Sequence, residues 1–130
     1  MRRFYGYRNP LSTNNLLQKE APMLKLKDLK PTEAEITKDI RGYLDIRGIP
    51  YFKKLQGLGS PKGIVDLIGC YKGCFIGIEV KVLGRELTFE QDLFIKRFKN
   101  AGGTCFVAHS VEDVERELKS IDAKQRFIYQ

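Results

Sequence analysis

No apolar run in the sequence approaches the ~18 residues that a membrane-spanning helix needs, which excludes a transmembrane helix as the reading of any segment. No apolar stretch follows the arginines of the opening MRRFYGYRNPLSTNN, so this segment does not read as a secretory signal, and the expected compartment is the cytoplasm. Three cysteines, Cys70, Cys74 and Cys105, are too few and the wrong parity for a disulfide scaffold. They contain no C-x-x-C pair, and zinc usually takes four soft ligands, so they read as buried small apolar residues. Neither a P-loop nor a G-x-G-x-x-G is present, which ranks nucleotide phosphotransfer last among the candidate chemistries.

The 130 residues suffice for one domain with a proper core, and 42% apolar against 30% charged residues is ordinary for a globular chain. The net charge of +7 is unevenly spread. Residues 1–30 hold seven basic and two acidic side chains, a net of +5, with Phe4, Tyr5 and Tyr7 among the arginines. Such a balance favours polyanions, chiefly nucleic acid or an anionic membrane. This basic arm reads as a phosphate- and base-contacting segment, a flexible one, or one that swaps between subunits.

Hydrophobic periodicity is clearest after Pro31. Pro31-Thr32 opens a helix with Ile36, Ile40, Tyr43 and Leu44 at helical spacing, and Gly48 closes it. A short strand signal covers residues 49–52, a Gly-rich loop 53–63, and a hairpin joins strands at 64–71 and 74–83 through Lys72-Gly73. Thr88 opens a helix whose expected apolar face is Phe89, Leu93, Phe94 and Phe98. Gly102-Gly103 ends it, 104–108 is a strand, and Ser110 caps a last helix carrying Val111, Val114 and Leu118. The order is α-β-β-β-α-β-α, which predicts an α/β fold with a mixed central sheet flanked by helices on both faces. The expected organisation is an arm at 1–30, a domain at 31–120 and a tail at 121–130, whose Phe127, Ile128 and Tyr129 are expected to dock on the core or on a second subunit.

The hairpin carries the chemistry. A two-residue loop at Lys72-Gly73 sets Tyr71 opposite Cys74 and Asp66 opposite Glu79. Strand alternation puts Lys81 on the face of Glu79, while Ile78, Val80 and Val82 point the other way. Two carboxylates this close repel unless a positive charge lies between them. A divalent cation with oxygen ligands is the natural occupant, since Mg²⁺ takes one or two carboxylates and substrate phosphates. Lys81 would hold an attacking water or neutralise charge on a phosphorane. The plain alternative is a solvated hairpin face with a cross-strand Glu–Lys pair. The reading also depends on register, because a slip of one residue carries Asp66 to the other face.

These residues resemble a family. Gly63-Ile64-Val65-Asp66, Gly73, Ile78-Glu79-Val80-Lys81 and Gly84-Arg85 followed by Gln91 are similar to the VRR-NUC domain, a branch of the PD-(D/E)xK nucleases that occurs alone in small phage proteins. The resemblance runs from about Thr32 to Leu118, about two thirds of the chain. It implies a restriction-endonuclease-like core and Mg²⁺- or Mn²⁺-dependent endonucleolytic cleavage of DNA, selective for branched, flap or Holliday-junction-like structures. It further implies Asp66 and Glu79 as metal ligands, the main-chain carbonyl of Val80 and Glu33 as further ligands, Lys81 as the catalytic lysine, and Gln91 as the family's helix glutamine. Val65 stands where the family has proline. A homodimer is expected, because cutting two strands calls for two sites. A helicase or another replication or recombination protein is an expected partner.

Other roles compete at several of these positions. Thr88-x-x-Gln91 is a capping box without any catalysis, and Glu33 is a first-turn acid favoured by the helix dipole. Lys53, Lys54, Lys62 and Arg85 are placed to touch DNA phosphates, or belong to solvated loops. His109 lacks the flanking pattern of a histidine-dependent nuclease and reads as a strand-end residue. A nucleic-acid-binding or interaction module that keeps the fold without catalysis is the alternative function.

Overall fold

Thr32 starts the first helix as its sequence position predicts. Its hydroxyl accepts the Glu35 N–H at 3.2 Å, and α1 then runs over Glu33–Ile46 with Ile36, Ile40 and Leu44 buried. The computed structural model describes residues 29–55 and 59–128 of the chain, so the expected basic arm at 1–30, all but its last two residues, and Tyr129 lie outside the described residues. The chain divides into two units, Met1–Pro31 and Thr32–Gln130, and the second carries the sheet and its helices.

Four strands and two more helices complete this second unit: β1 (Tyr51–Lys53), β2 (Leu67–Tyr71), β3 (Cys74–Val80), α2 (Phe89–Asn100), β4 (Thr104–Ala108) and α3 (Val111–Ile128). The sheet order is β1-β2-β3-β4. β1–β2 and β2–β3 are antiparallel and β3–β4 is parallel, so the fold is α/β with a mixed sheet, in the expected element order. The hairpin register is the expected one, with Tyr71 opposite Cys74 and Leu67 opposite Ile78. Both turn residues have positive φ, Lys72 at 50° and Gly73 at 82°, the geometry that suits a two-residue hairpin loop.

Helices cover both faces. On one, α1 and α3 bury Ile36, Ile40, Leu44, Val114 and Leu118 against Leu67, Ile76, Ile78, Val80 and Phe106. On the other, Ile95 of α2 packs with Val65 and Cys105, and Phe94 and Phe98 lean on them. Gly77 permits this second contact, because a Cβ there would meet Cys105 Sγ at 2.8 Å.

Several boundaries differ from expectation. β1 lies later than 49–52, because Ile49 is buried in the core and the residues in register with β2 are Tyr51–Lys53. β2 and β3 are shorter than 64–71 and 74–83, because the strands part below Leu67. The expected stripe on α2 holds in part: Phe94 and Phe98 pack on the second cluster, but Phe89 is 75% and Leu93 44% exposed, and Ile95 takes the buried place. The capping box at Thr88 fixes the helix phase so that Gln91 and Ile95, four apart, face the sheet. α3 continues through Ile121, which is buried, to Ile128, so no separate tail begins at 121. Phe127 and Ile128 do not dock on the core of this chain, since they are 83% and 71% exposed, beyond the last sheet contact of α3. Of the cysteines only Cys105 is buried; Cys70 is exposed because it faces the side of the hairpin that α2 leaves uncovered.

Candidate active site

The strands separate at Leu67, and there the α2-facing side of the sheet turns polar. Val80 N–H, left without a main-chain partner across the hairpin, donates to Asp66 Oδ2 at 2.7 Å. Asp66 is held on its other flank by Lys54, whose N–H donates to the Asp66 carbonyl at 2.9 Å. The Lys54 ammonium lies 3.4 Å from Asp66 Oδ1, with both side chains about one quarter exposed. This ammonium also donates to the Ile64 carbonyl at 3.4 Å.

Glu79 sits between Ile78 and Val80, which face the larger core, so alternation turns it toward α2. It is only 2% exposed. Gln91 Nε2 donates to Glu79 Oε2 at 3.0 Å, and Lys81 Nζ stands 4.0 Å from the same oxygen. Oε1 is buried with no partner among the described residues. Burial first, and the charge of Asp66 second, push the Glu79 carboxyl up to about 7 from its ordinary 4.5, against the pull of Lys54 and Lys81. An orphaned buried oxygen costs on the order of 1–3 kcal/mol. A carboxyl held at that cost beside a second carboxylate and two ammonium groups makes this cluster the candidate site.

Gln91 closes the foreseen capping box and also reaches Glu79. Its Oε1 accepts the Thr88 N–H at 2.9 Å, closing the capping box, while its Nε2 serves Glu79. The cap therefore fixes which way the amide points. The approach of this helix to the loop relies on Gly63, which has φ of 76° and where a Cβ would run into the Glu90 carbonyl. Lys81 is buried at 7% exposure, and its main chain is clamped from β4. Its N–H donates to the Ala108 carbonyl at 3.1 Å, and its carbonyl accepts from His109 Nδ1 at 2.9 Å. His109 follows β4, as the sequence implied.

Glu33 opens α1, and its Oε2 is also buried without a partner among the described residues. It lines a cleft of about 360 Å³ together with Asp66 and Lys54. A second cleft, of about 490 Å³, lies on the other side of Lys54 and is lined by Lys62 and Gln91. The structure thus brings Asp66, Glu79, Lys81 and Gln91 together, with Glu33 across the first cleft. Val80 meets Asp66 through its N–H rather than its carbonyl. Lys53 lines the first cleft, and Arg85 lines neither, its N–H closing a turn to the Val82 carbonyl at 3.0 Å. Sequence reasoning placed Lys54 among loop phosphate contacts and missed its pairing with Asp66. It also missed Lys38 and Arg41, which line the first cleft from α1. Their spacing of four and seven residues from Ala34, which lines the same cleft, was the available signal.

Among the described residues no group of three or more His, Cys, Asp or Glu side chains is arranged to hold a metal ion. No helix of the described residues is long and apolar enough to cross a membrane. No protein-family model matches the sequence, and no curated protein is significantly similar to it.

Proposed function

We propose that this protein is a Mg²⁺- or Mn²⁺-dependent DNA endonuclease of the restriction-endonuclease-like, VRR-NUC type, which hydrolyses phosphodiester bonds in branched, flap or junction DNA. The observation that carries the reading is the convergence of Asp66, Glu79 and Lys81 on one side of the sheet, with a buried Glu79 oxygen lacking any partner among the described residues. The net charge of +7 and the basic lining of the adjoining clefts suit a polyanionic substrate.

The residues fit a divalent cation. Glu79 Oε1 and Glu33 Oε2 are buried carboxylate oxygens without partners among the described residues, the donors a hard cation takes. Two carboxylates are enough, because Mg²⁺ keeps several waters and takes the rest of its shell from substrate phosphate. Asp66 and Glu79 would hold it, with Glu33 and the Val80 carbonyl as further ligands. Such an ion supplies Lewis-acid stabilisation of phosphate charge and an activated water. Lys81 Nζ would orient an attacking water and offset charge on the phosphate oxygens, in a hydrolysis that joins the water oxygen to phosphorus and releases the ester oxygen with a proton. Gln91 keeps Glu79 in place, and Lys54 contributes a second positive charge beside Asp66.

One observation favours the alternative of an inactive binding module with the same fold. Asp66 already has a cation partner in Lys54. The two readings part in a cleavage assay on linear, nicked, flap and four-way-junction DNA with Mg²⁺, Mn²⁺ or EDTA. The nuclease reading expects cleavage with either metal and none with EDTA. Binding without cleavage of any substrate would support the module.

A further inference from the structure

The cleft in front of Asp66 is lined by charge of both signs. Glu33 and Asp66 bring carboxylates, and Lys38, Arg41, Lys53 and Lys54 supply the rest of its charged lining, with the Lys54 ammonium 3.4 Å from Asp66. Lys38 and Arg41 come from successive turns of one face of α1, three residues apart, so their side chains emerge as neighbours. Arg41 is also held in position. Its Nε donates to Tyr51 Oη at 3.4 Å, and its guanidinium carbon stands 5.9 Å from the centre of the Tyr51 ring. Tyr51 belongs to β1 and packs against the main core, so the guanidinium rests on a rigid strand. A guanidinium anchored through Nε presents its two outer nitrogens as a fork that matches phosphate geometry. Four basic side chains in a cleft that reaches Asp66 suit a chain of phosphates of which one comes up to that carboxylate.

We propose that this cleft is a backbone-binding subsite: Arg41, with Lys38 beside it, grips the phosphates next to the scissile one and leads the strand over Lys54 to Asp66. The subsite presupposes the nucleic-acid substrate proposed for the Asp66–Glu79 site and extends its binding to residues of α1. Because phosphates carry no base identity, the grip adds affinity and register without sequence preference.

The test measures binding of a labelled single-stranded and a labelled duplex DNA in EDTA, over a range of salt, for wild type, Arg41→Ala, Lys38→Ala and the double variant. Arg41→Lys reports the value of the fork. Lys96→Ala, which removes an exposed lysine of α2 paired with Asp92, is the control. Each cleft substitution is expected to flatten the slope of log affinity against log salt by about 0.7–0.9 and to weaken binding several-fold at low salt. Arg41→Lys is expected to keep the slope yet lose affinity. Lys96→Ala should change neither. A double variant that binds like wild type would overturn the subsite while leaving the nuclease reading intact if wild type still cleaves. An equal loss in Lys96→Ala would overturn it as well, since the effect would be bulk charge. Failure of wild type to bind DNA at all would remove both readings.

Discussion

Glu79 concentrates the cost of the site in one side chain. Its carboxyl titrates at about 7 in the fold against 4.5 ordinarily, because burial and Asp66 disfavour the charged form. A carboxyl with a raised folded pKa binds its proton more tightly in the native state. Stability therefore falls as pH rises from about 4.5 through about 7 and stays lower above that, with a ceiling of about 3 kcal/mol for this group. Glu79→Gln should remove most of this slope, so urea melts of the variant at pH 5.5 and pH 8 should differ less than those of wild type. Mg²⁺ or Mn²⁺ should raise the melting temperature of wild type more at pH 8 than at pH 5.5, and should leave Glu79→Gln nearly unmoved. Equal pH slopes for the two proteins would mean that Glu79 is not the costly group. Cys105 makes a smaller case: burial pushes its thiol up to about 11, so it should resist a thiol reagent at neutral pH that labels exposed Cys70.

Among the elements, α2 decides how the site is held. The capping box at Thr88 sets its phase, the phase brings Gln91 to Glu79, and Ile95 anchors the same face to Cys105 and Val65. Gln91→Ala should lose about 1 kcal/mol of helix capping together with cleavage. Gln91→Glu keeps an N3 acceptor for the cap but sets a carboxylate against Glu79. Its melting temperature should stay near wild type at pH 5 and fall at pH 8, with cleavage reduced at least tenfold; unchanged cleavage would reduce Gln91 to a cap. The same helix marks the limit of what the sequence shows. Caps, turns and strand register rest on local chemistry, so Thr32, Thr88, Lys72-Gly73 and the Tyr71–Cys74 pairing were legible. The stripe on α2 was legible in part: Phe94 and Phe98 pack beside Ile95, but Phe89 and Leu93, at the same helical spacing, stay exposed. Lys54 was unreadable for another reason. Its tie to Asp66 depends on where β1 meets β2, and a three-residue strand leaves little trace in sequence. The extent of α3 was underestimated because the apolar stripe that defines a helix stops at Ile121; beyond it the contacts with the hairpin are polar, with Asp122 accepting from Tyr71 and Gln125 donating to the Lys72 carbonyl.

For the whole molecule, charge and stoichiometry carry the tests of the proposed DNA substrate. Residues 1–30 carry a net of +5, so deleting them should lower DNA affinity and flatten its salt dependence, whatever happens at the site. An unchanged salt slope would remove the arm from the interface. If two strands are cut by a symmetric pair of sites, light scattering should give about twice the 15.0 kDa of the chain. The proposed function stands or falls, however, on whether the Asp66, Glu79 and Lys81 cluster performs hydrolysis. The most direct measurement is single-turnover cleavage of one labelled branched DNA in Mn²⁺ by wild type, Lys81→Ala and Asp66→Ala, with DNA binding and melting temperature recorded for each. A nuclease built on this cluster should show metal-dependent cleavage by wild type and a loss on the order of 100-fold or more in both variants, with binding retained. Cleavage that persists in the variants, or a folded wild type that binds the DNA and leaves it intact in Mn²⁺, would contradict it.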